Sequence, residues 1–175
     1  LEYLATYLKA QVGAGYVVDC NGGFSLFGGY ALPRERLAEK LLSNEGLVGQ
    51  AARSRQLLHV RDVPPAYLPV SSSTGQASPA ELLVAPAVEH GNVFAVIELG
   101  FYRPVSEAER TLLERASEML AVAIRSGIDR SRLQALLEET QRQSEELQTQ
   151  QEELRVNNEE LEQQSRILQE SQAQM

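Results

Sequence analysis

Residues 81–101 read ELLVAPAVEHGNVFAVIELGF. Two apolar runs flank the polar triplet His90-Gly91-Asn92, and this pattern predicts an antiparallel hairpin with strands at residues 81–89 and 93–101. Pro86 has no backbone N–H to donate, so its strand is expected to lie at a sheet edge or to carry a bulge. An antiparallel sheet is therefore the first expectation for this chain.

A second hairpin is predicted nearer the N-terminus, with strands at residues 16–20 and 24–32 around Asn21-Gly22-Gly23. Asn-Gly favours a hairpin because both residues tolerate the positive φ angles of a tight turn. Gly28-Gly29 in its second strand favours a bulge, which would exchange the inward and outward faces.

Helices and a loop are predicted between and before these hairpins. Leu1, Leu4, Leu8 and Val12 share one helical face, so residues 1–12 are expected to form an amphipathic helix that ends at Gly13-Ala14-Gly15. Pro33 favours a helix start, and RERLAEKLL follows it. A short helix is expected at residues 46–54, before a strand at 57–60. Pro, Ser and Gly make residues 63–79 a predicted loop.

The longest predicted element is a helix that begins at the capping box Ser106 to Glu109. No proline interrupts it before Met175, and its single glycine, Gly127, costs about 1 kcal/mol relative to alanine without having to break it. Its length would be on the order of 100 Å. Hairpins and short helices followed by one long helix predict an α+β domain with a rod attached.

Leucine recurs every seventh residue from Leu147 to Leu168, and one heptad register extends back to the start of this helix. A period of 3.5 predicts a left-handed coiled coil, and leucine at d with asparagine at a favours a parallel dimer. The predicted dimer seam consists of Leu112, Met119, Leu133, Leu137, Leu147, Leu154, Asn158, Leu161 and Leu168.

The seam is unusually polar, since every a position after Leu137 carries Ser, Gln or Asn. A buried leucine contributes roughly 1.5–3 kcal/mol, while a polar layer contributes little or costs free energy. We therefore expect a marginal coil that shifts easily in register or rotation. A solvated helix or a disordered Glu/Gln-rich tail is the alternative.

The charge distribution restricts the partners. The chain has 175 residues and a net charge of −8; residues 133–175 hold 10 acidic and 3 basic residues. Without a basic stripe, binding to nucleic acid is not expected.

The single cysteine, Cys20, cannot form an internal disulfide, which favours a reducing, cytoplasmic setting. No apolar run reaches the ~20 residues of a membrane helix, so no membrane contact is expected; any anchor would belong to a longer parent protein that extends beyond Leu1.

Four segments resemble a GAF domain over residues 1–128: LEYLATYLKAQV, GAGYVVDCNGG, GLVGQAARSRQLLHVRDVP and ELLVAPAVEHGNVFAVIELG. The tail QTQQEELRVNNEELEQQSRILQESQAQ resembles the signalling coiled coil of bacterial hybrid sensor histidine kinases. The resemblance implies a central antiparallel sheet of five or six strands, with the first and last helices on one face and a ligand pocket on the other. It also implies a parallel dimer whose last helix, residues 129–175, signals to a downstream kinase core.

Several family motifs are missing from the chain. It lacks the Asn-Lys…Phe…Asp-Glu pattern of cyclic-nucleotide-binding relatives, the phosphoacceptor His-Glu-Leu-Arg-Thr-Pro and a glycine-rich ATP-binding box. Residues 63–79 replace the long helices that cover the pocket in many relatives, so the pocket is expected to be small, open or absent. The chain is thus not expected to be a kinase by itself or to hold a cofactor.

Single residues give weak chemical signals. Cys20 is interpreted as a bystander at a strand end, because GAF-type methionine sulfoxide reductases use several cysteines. His59 and His90 could ligate a metal or haem iron, but they lack a cysteine partner and are not predicted to do so. Acidic residues and aromatic residues complete the candidates. The acidic candidates are Asp19, Asp62, Glu89 and Glu98. Their spacing in the sequence does not indicate a pair for acid–base chemistry. The aromatics, interpreted as core or sheet-face residues, are Tyr16, Phe24, Phe27, Tyr30, Phe94 and Tyr102.

The sequence therefore predicts a non-catalytic sensory or relay module of a two-component sensor histidine kinase. It would act as a homodimer, and a small-molecule ligand in the GAF pocket or an upstream input would bias the coil. Three alternatives stay open: a GAF module that regulates a nucleotide cyclase or phosphatase, a small-molecule enzyme on the same fold, and a dimerisation scaffold without a ligand.

A hinge is predicted at Gly127 and Arg130, where polar residues surround the glycine and an arginine occupies an a position. Gly127→Ala with Arg130→Leu should raise the thermal stability of the dimer, since Ala favours the helix by about 1 kcal/mol and Leu adds an apolar seam layer. The measurement is thermal unfolding by circular dichroism, together with kinase output in the parent protein. Unchanged stability and unchanged output would remove the hinge hypothesis.

Overall fold

The computed structural model describes residues 1–31, 39–43, 45–64, 67, 70–72 and 75–173. It contains three helices and eight strands within these ranges. They are α1 (Glu2–Tyr7), β1 (Val12–Val18), β2 (Phe24–Tyr30), β3 (Lys40–Leu41), α2 (Gly46–Ser54), β4 (Leu58–Arg61), β5 (Val70–Ser72), β6 (Gly75–Ala77), β7 (Glu81–Glu89), β8 (Asn92–Phe101) and α3 (Glu107–Ala173).

Six strands form one antiparallel sheet in the order β3-β2-β1-β8-β7-β4, which confirms the predicted α+β fold class. Both predicted hairpins are present. In the first, the carboxylate of Asp19 accepts the N–H groups of Asn21 and Gly23, each at 2.9 Å, and Gly22 adopts a φ of 77°. In the second, β7 and β8 pair from Glu81 opposite Phe101 to Glu89 opposite Asn92.

One face of the sheet is covered by α1 and by the first turns of α3. Leu99 and Phe101 of β8 are fully buried there against Leu8, which directly follows α1, and Leu113 of α3. Alternate residues of a strand point to opposite faces, so the odd-numbered positions of β8 belong to this side. The arrangement agrees with the expectation that the first and last helices share a face.

The other face is covered by α2. Val48 and Ala51 of this helix pack against Ala14 of β1, Val84 of β7 and Val96 of β8. All five side chains are buried. The two cores on opposite sides of the sheet explain why β7 and β8 are apolar along nearly their whole length.

The predicted capping box fixes the start of α3. Ser106 N–H donates to Glu109 Oε2 at 2.9 Å, and Glu109 N–H donates to Ser106 Oγ at 3.3 Å. Arg103 donates to both Glu109 oxygens and to the carbonyl of Leu8, at 3.1 Å for the carbonyl. These hydrogen bonds from Arg103, then those of Ser106, lower the pKa of Glu109 to about 2 despite partial burial. Arg103 thereby joins the end of α1 to the start of α3.

The first helix is shorter than predicted, and Val12 with Gly13-Ala14-Gly15 belongs to β1. The glycines serve close packing rather than helix termination. A Cβ at Gly13 would lie 2.7 Å from Leu99 Cδ2, and one at Gly15 would lie 2.7 Å from Phe27 Cε1. The predicted β2 bulge appears one residue before Gly28, where Phe27 has no partner in β1.

Two further predictions need correction. The helix predicted after Pro33 falls largely on residues 32–38, outside the described residues, and its last part is wrong, because Lys40–Leu41 forms strand β3 beside Phe24 and Ser25. The loop predicted at residues 63–79 contains the short pair β5–β6. Strands of two or three residues show no alternation that a sequence pattern could reveal.

The prediction for Pro86 is confirmed. β4 pairs with β7 only as far as Val84, so Pro86 lies beyond that pairing, and the β7–β8 register is irregular between Ala87 and Val88. A missing N–H is tolerated there because none of the described strands pairs with Pro86 on the outer side of β7. The chain divides into two compact units, Leu1–Ser126 and Gly127–Met175. The predicted boundary between residues 128 and 129 stays a prediction.

Gly100→Ala should destabilise the fold by roughly 1–3 kcal/mol through overpacking. The new Cβ would lie 2.5 Å from Val12 Cγ1 and 2.9 Å from Pro79 Cγ, both held in the packed α2 side of the sheet. Urea unfolding of the 175-residue chain measures the change. Gly28→Ala is the matched control, since its nearest neighbour would be Leu1 Cδ2 at 3.8 Å. An equal response of both variants would contradict the packing argument.

Candidate functional site

A buried carboxyl group lies at the centre of the sheet. Glu98 of β8 is 3% exposed and stands opposite Ala14 of β1 and Val84 of β7. Directly paired residues share a face, so Glu98 points to the side covered by α2. Glutamate is rarely buried to this extent without a partner, which makes this position the first candidate for a functional site.

The structure supplies a tyrosine as its hydrogen-bond partner. Tyr67 O–H donates to Glu98 Oε1 at 3.0 Å, and the Tyr67 backbone N–H donates to the carbonyl of Pro64 at 2.9 Å. Tyr16 stands opposite Val96, on the same sheet face as Glu98. The site therefore combines one carboxyl group and two phenol rings over a floor of small apolar side chains.

Burial shifts the titration of this cluster. Desolvation raises the pKa of Glu98 to about 7, and the hydrogen bond from Tyr67 opposes the rise. The pKa of Tyr67 is raised by burial and then by the negative charge of Glu98, and the pKa of Tyr16 is raised for the same two reasons. No Arg, Lys or His of the described residues contributes to the shift at Glu98. An ionised Glu98 thus lacks a protein counter-charge among them.

The arrangement suits binding. A buried carboxyl group that titrates near neutrality can hold a proton, accept hydrogen bonds or pair with a cation.

Cys20, the one thiol of the chain, is exposed at the β1–β2 turn, where its Sγ lies 3.9 Å from Asn21 Oδ1. The nucleophile that the sequence offers is therefore at a surface turn, while Glu98 is in the core.

The two histidines take part in contacts around the β7–β8 hairpin. His59 Nε2 lies 2.7 Å from Glu81 Oε2, which also accepts the N–H of Val105 at 2.8 Å. Burial alone would raise the pKa of Glu81, but the hydrogen bonds from Val105 and then His59 lower it. One carboxylate thus joins β4, β7 and the residues that lead into α3.

At the other end of this hairpin, Arg125 of α3 contacts the β7–β8 turn. Its Nη1 lies 3.3 Å from Glu89 Oε1 and 2.9 Å from His90 Nδ1. His90 adopts a positive φ of 48°, as its predicted place in the turn requires. Among the described residues, no group of three or more His, Cys, Asp or Glu could hold a metal ion.

The predicted aromatic residues are divided between the two faces and the surface. Tyr16 and Phe24 are buried on the α2 side, Tyr30 packs against the helix-side core and Phe94 against a small cluster with Ala121. Phe27 of β2 lies on a sheet face over Gly15 and is 44% exposed. Tyr102, which follows β8, is also 44% exposed, so it is the one of the six that departs from the expectation.

The predicted seam residues all lie on α3. Leu112 packs against the core of its own chain. From residue 126 to residue 163 every side chain is exposed, including Gly127 and Arg130 of the predicted hinge. The side chain of Leu168 lies outside the described part. The large exposed seam residues are Met119, Leu133, Leu137, Leu147, Leu154 and Leu161, at 59–74%.

A groove lies on the helix side, away from Glu98. This groove of about 570 Å³ is lined by nine residues from the α2–β4 turn, the outer part of β7 and α3. Its polar lining carries both signs of charge, with Arg55 and Arg110 opposed by Glu114 and Glu118. Its mixed charge gives no preference for one ligand class.

Sequence reasoning identified Glu98 as an isolated acid but did not identify its partner. An acid within the apolar run VFAVIELGF was the available signal, because strand alternation places it inward. Tyr67 gave no signal, since it sits in a Pro-rich segment 31 residues away from Glu98.

Comparison with known proteins gives one family. The GAF domain family matches residues 1–125. The GAF domain of the Acinetobacter phosphoenolpyruvate-protein phosphotransferase is similar in fold, at 22% identity and a TM-score of 0.59, covering 72% of this chain and 78% of that chain. The GAF-B domain of DevS from Mycobacterium smegmatis is similar at 18% identity and a TM-score of 0.61, covering 75% and 91%.

An enzyme also shares the fold. The type II free methionine-R-sulfoxide reductase from Thermoplasma acidophilum is 18% identical, with a TM-score of 0.56, covering 71% of this chain and 86% of that chain. The search of curated proteins returned no match. No helix in the described part of the chain has the length and apolar character to span a membrane.

Glu98→Gln should change how stability depends on pH. The pKa of folded Glu98, about 7, exceeds its ordinary value of 4.5, so the folded state holds the proton more tightly. The resulting stabilisation is complete below pH 4.5 and is lost as the pH rises to about 7. The variant should lack this decline and be more stable at pH 8 by on the order of 3–4 kcal/mol, because the two pKa values differ by about 2.5 and one pKa unit corresponds to about 1.4 kcal/mol.

Urea unfolding at a series of pH values measures this difference. Glu114→Gln is the control, because it removes the same charge at an exposed position of α3. Wild type and Glu98→Gln curves that run parallel between pH 5 and pH 8 would show that Glu98 is not the titrating group.

Proposed function

Because this chain belongs to the GAF domain family, a family of regulatory and sensory modules, we propose that it is a non-catalytic relay that controls a sensor histidine kinase. In this proposal the Glu98 site receives the input, and residues 129–175 form a parallel dimeric coiled coil. The coil passes a change of state to a kinase core in the parent chain. Like the bacterial tails it resembles, the segment would belong to a two-component system of the cytoplasm.

The observation that carries this proposal is the row of exposed leucines on α3. Leu147, Leu154 and Leu161 are 59–63% exposed, although leucine is usually buried. They recur at the heptad period, so a second copy of the same helix would cover all of them at once. Asn158 in the same register favours two strands and a fixed alignment.

The contacts around β7–β8 supply a route from the site to α3. Glu98 lies on β8, and the two ends of the hairpin contact the α3 region through Glu81 to Val105 and through Glu89 to Arg125. A ligand that moves β8 by a small amount would act on both contacts. Because polar a positions keep the coil marginal, a bias of 1–3 kcal/mol is sufficient to change its state.

The fold alone does not decide the output. Neighbours in fold include a domain of a phosphotransferase and a reductase, so the kinase output rests on the resemblance of the tail. A nucleotide cyclase or phosphatase would use the same module. A scaffold without a ligand would not explain why Glu98 is buried. An enzyme that resembles the reductase would need cysteine residues in addition to Cys20.

Leu154→Ala should weaken the dimer, whereas Val156→Ala should not. Each variant shortens one exposed apolar side chain, and the two positions are only two residues apart. Leu154 occupies the d position of the heptad, whereas Val156 occupies the outward f position. The loss is expected to be on the order of tenfold to a hundredfold in dimer affinity, because buried leucine contributes roughly 1.5–3 kcal/mol and about 1.4 kcal/mol is tenfold.

Sedimentation equilibrium and native mass spectrometry at low micromolar concentration measure the change. A dimer with a stoichiometric added mass would support a ligand sensor, and a bare dimer would support a relay driven from elsewhere in the parent protein. A monomeric wild type, or equal weakening by both variants, would refute the coiled-coil relay.

A further inference from the structure

Glu98 has no cationic partner within the described residues. Its carboxyl group is buried, and the hydrogen bond that the structure gives it comes from a neutral phenol, Tyr67 O–H. Among the described residues, no Arg, Lys or His contributes to the shift of its pKa. A carboxylate removed from water is costly unless a charge or hydrogen bonds compensate it. Among the residues that the structure describes, the site therefore lacks a positive charge to pair with the carboxylate.

The walls of the site are apolar and small. Ala14 and Val84 flank Glu98 on the neighbouring strands, and Val48 and Ala51 come from α2. Ala and Val are shorter than Glu, so the cross-strand neighbours do not reach its carboxyl group; Tyr67 contacts that group, and α2 covers the same face of the sheet. A ligand that reaches this carboxyl group therefore buries an apolar body beside it.

The carboxyl group of Glu98 and the two neighbouring tyrosines together offer the groups that bind an organic cation. A carboxylate accepts about four hydrogen bonds, of which Tyr67 supplies one, and an ammonium group donates three. Tyr16, close enough for Glu98 to raise its pKa, offers an aromatic ring on the same sheet face. Aromatic rings attract cations within about 6 Å of the ring centre. An anionic ligand would meet the carboxylate, and none of the described residues supplies a basic group to hold it.

We propose that the Glu98 site binds a small organic cation, a primary ammonium group on a short apolar body, and excludes phosphate-bearing and other anionic ligands. The proposal names the ligand class of the input site and so rests on the sensory role proposed above. The ammonium group pairs with Glu98 and shares the carboxylate with Tyr67 or displaces its hydroxyl group. The apolar body contacts Ala14, Val84 and the α2 side chains.

Proton and ligand compete for the same carboxyl group. The pKa of Glu98 is about 7, whereas an alkylammonium stays protonated near neutrality as lysine does. Cation affinity should therefore increase about tenfold from pH 6 to pH 8, in proportion to the ionised fraction of Glu98. A ligand that needs the neutral acid would show the opposite dependence on pH.

Isothermal titration calorimetry of the 175-residue chain tests the proposal with size-matched probes. They are butylammonium and benzylammonium as cations, butanol as a neutral probe, and butyrate and cyclic AMP as anions. We expect both ammonium probes to bind with a dissociation constant on the order of millimolar at pH 8, as fragment-sized ligands do. The neutral and anionic probes should show no binding in that range.

Variants assign the binding to this site. Glu98→Gln keeps the size of the side chain and should abolish ammonium binding, with its fold verified by circular dichroism and thermal unfolding. Tyr67→Phe removes the competing hydroxyl group and should keep or strengthen binding. Glu118→Gln is the control, because it removes a carboxylate from the groove on the helix side and should leave binding unchanged.

Four results would overturn the proposal. They are ammonium binding that survives in Glu98→Gln, affinity that does not rise from pH 6 to pH 8, binding of butyrate or cyclic AMP in place of the cations, and absence of ammonium binding at millimolar concentration. The test is separable from that of the relay. A monomeric chain that binds ammonium would remove the relay alone, and a dimer that does not bind it would remove the cation site alone.

Discussion

Burial of the β7–β8 hairpin on both faces is the constraint on which the rest of this structure depends. α1 and α3 cover one side of the two strands and α2 covers the other, so each strand must be apolar in consecutive positions. Small residues are required where the layers approach most closely, as at Gly100 between Val12 and Pro79. The short connections between elements follow from this layered packing.

A buried acid stands out against that background. The positions of β8 around Glu98 are occupied by valine, isoleucine and leucine, so the acid is an exception within an apolar strand. Local rules of stability tend to be broken where a protein has a function to perform. The acid in the ion pair on the helix side differs from Glu98 because its partners compensate its charge: Glu109 accepts hydrogen bonds from Arg103 and from the backbone N–H of Ser106. Those contacts fasten elements together, whereas Glu98 is left with capacity to accept further hydrogen bonds.

The sequence predicted the elements whose signals are local. The β7–β8 hairpin, α2 and the capping box of α3 each depend on residues within about ten positions, and they were found within one or two residues of their predicted bounds. Strand β1 was missed at its start because Gly13 and Gly15 indicate a break, while their actual role is to admit Leu99 and Phe27. β3 was missed because two residues carry no period.

The site was less predictable than the fold for the same physical reason. The contact between Tyr67 and Glu98 joins an irregular segment to a central strand, and no periodicity reports such a contact. Strand alternation could have placed Glu98 inward, yet the uncertain effect of a bulge near Gly28 prevented an assignment of faces. The heptads of α3 show the converse case, since they are plain in the sequence while the partner proposed for them is a second chain.

The alternation of β8 has a consequence for how such a module could diversify. Positions 96, 98 and 100 face α2, and position 98 carries the buried acid. Positions 97, 99 and 101 face α1 and α3. A single strand therefore carries two interleaved sets of residues that natural selection can alter independently. Under the ligand role proposed for Glu98, substitution in the first set would change the chemical specificity, and the second set would keep the docking of the helices unchanged. New receptors could arise from this scaffold by point mutation, without insertion of a loop or exchange of a domain.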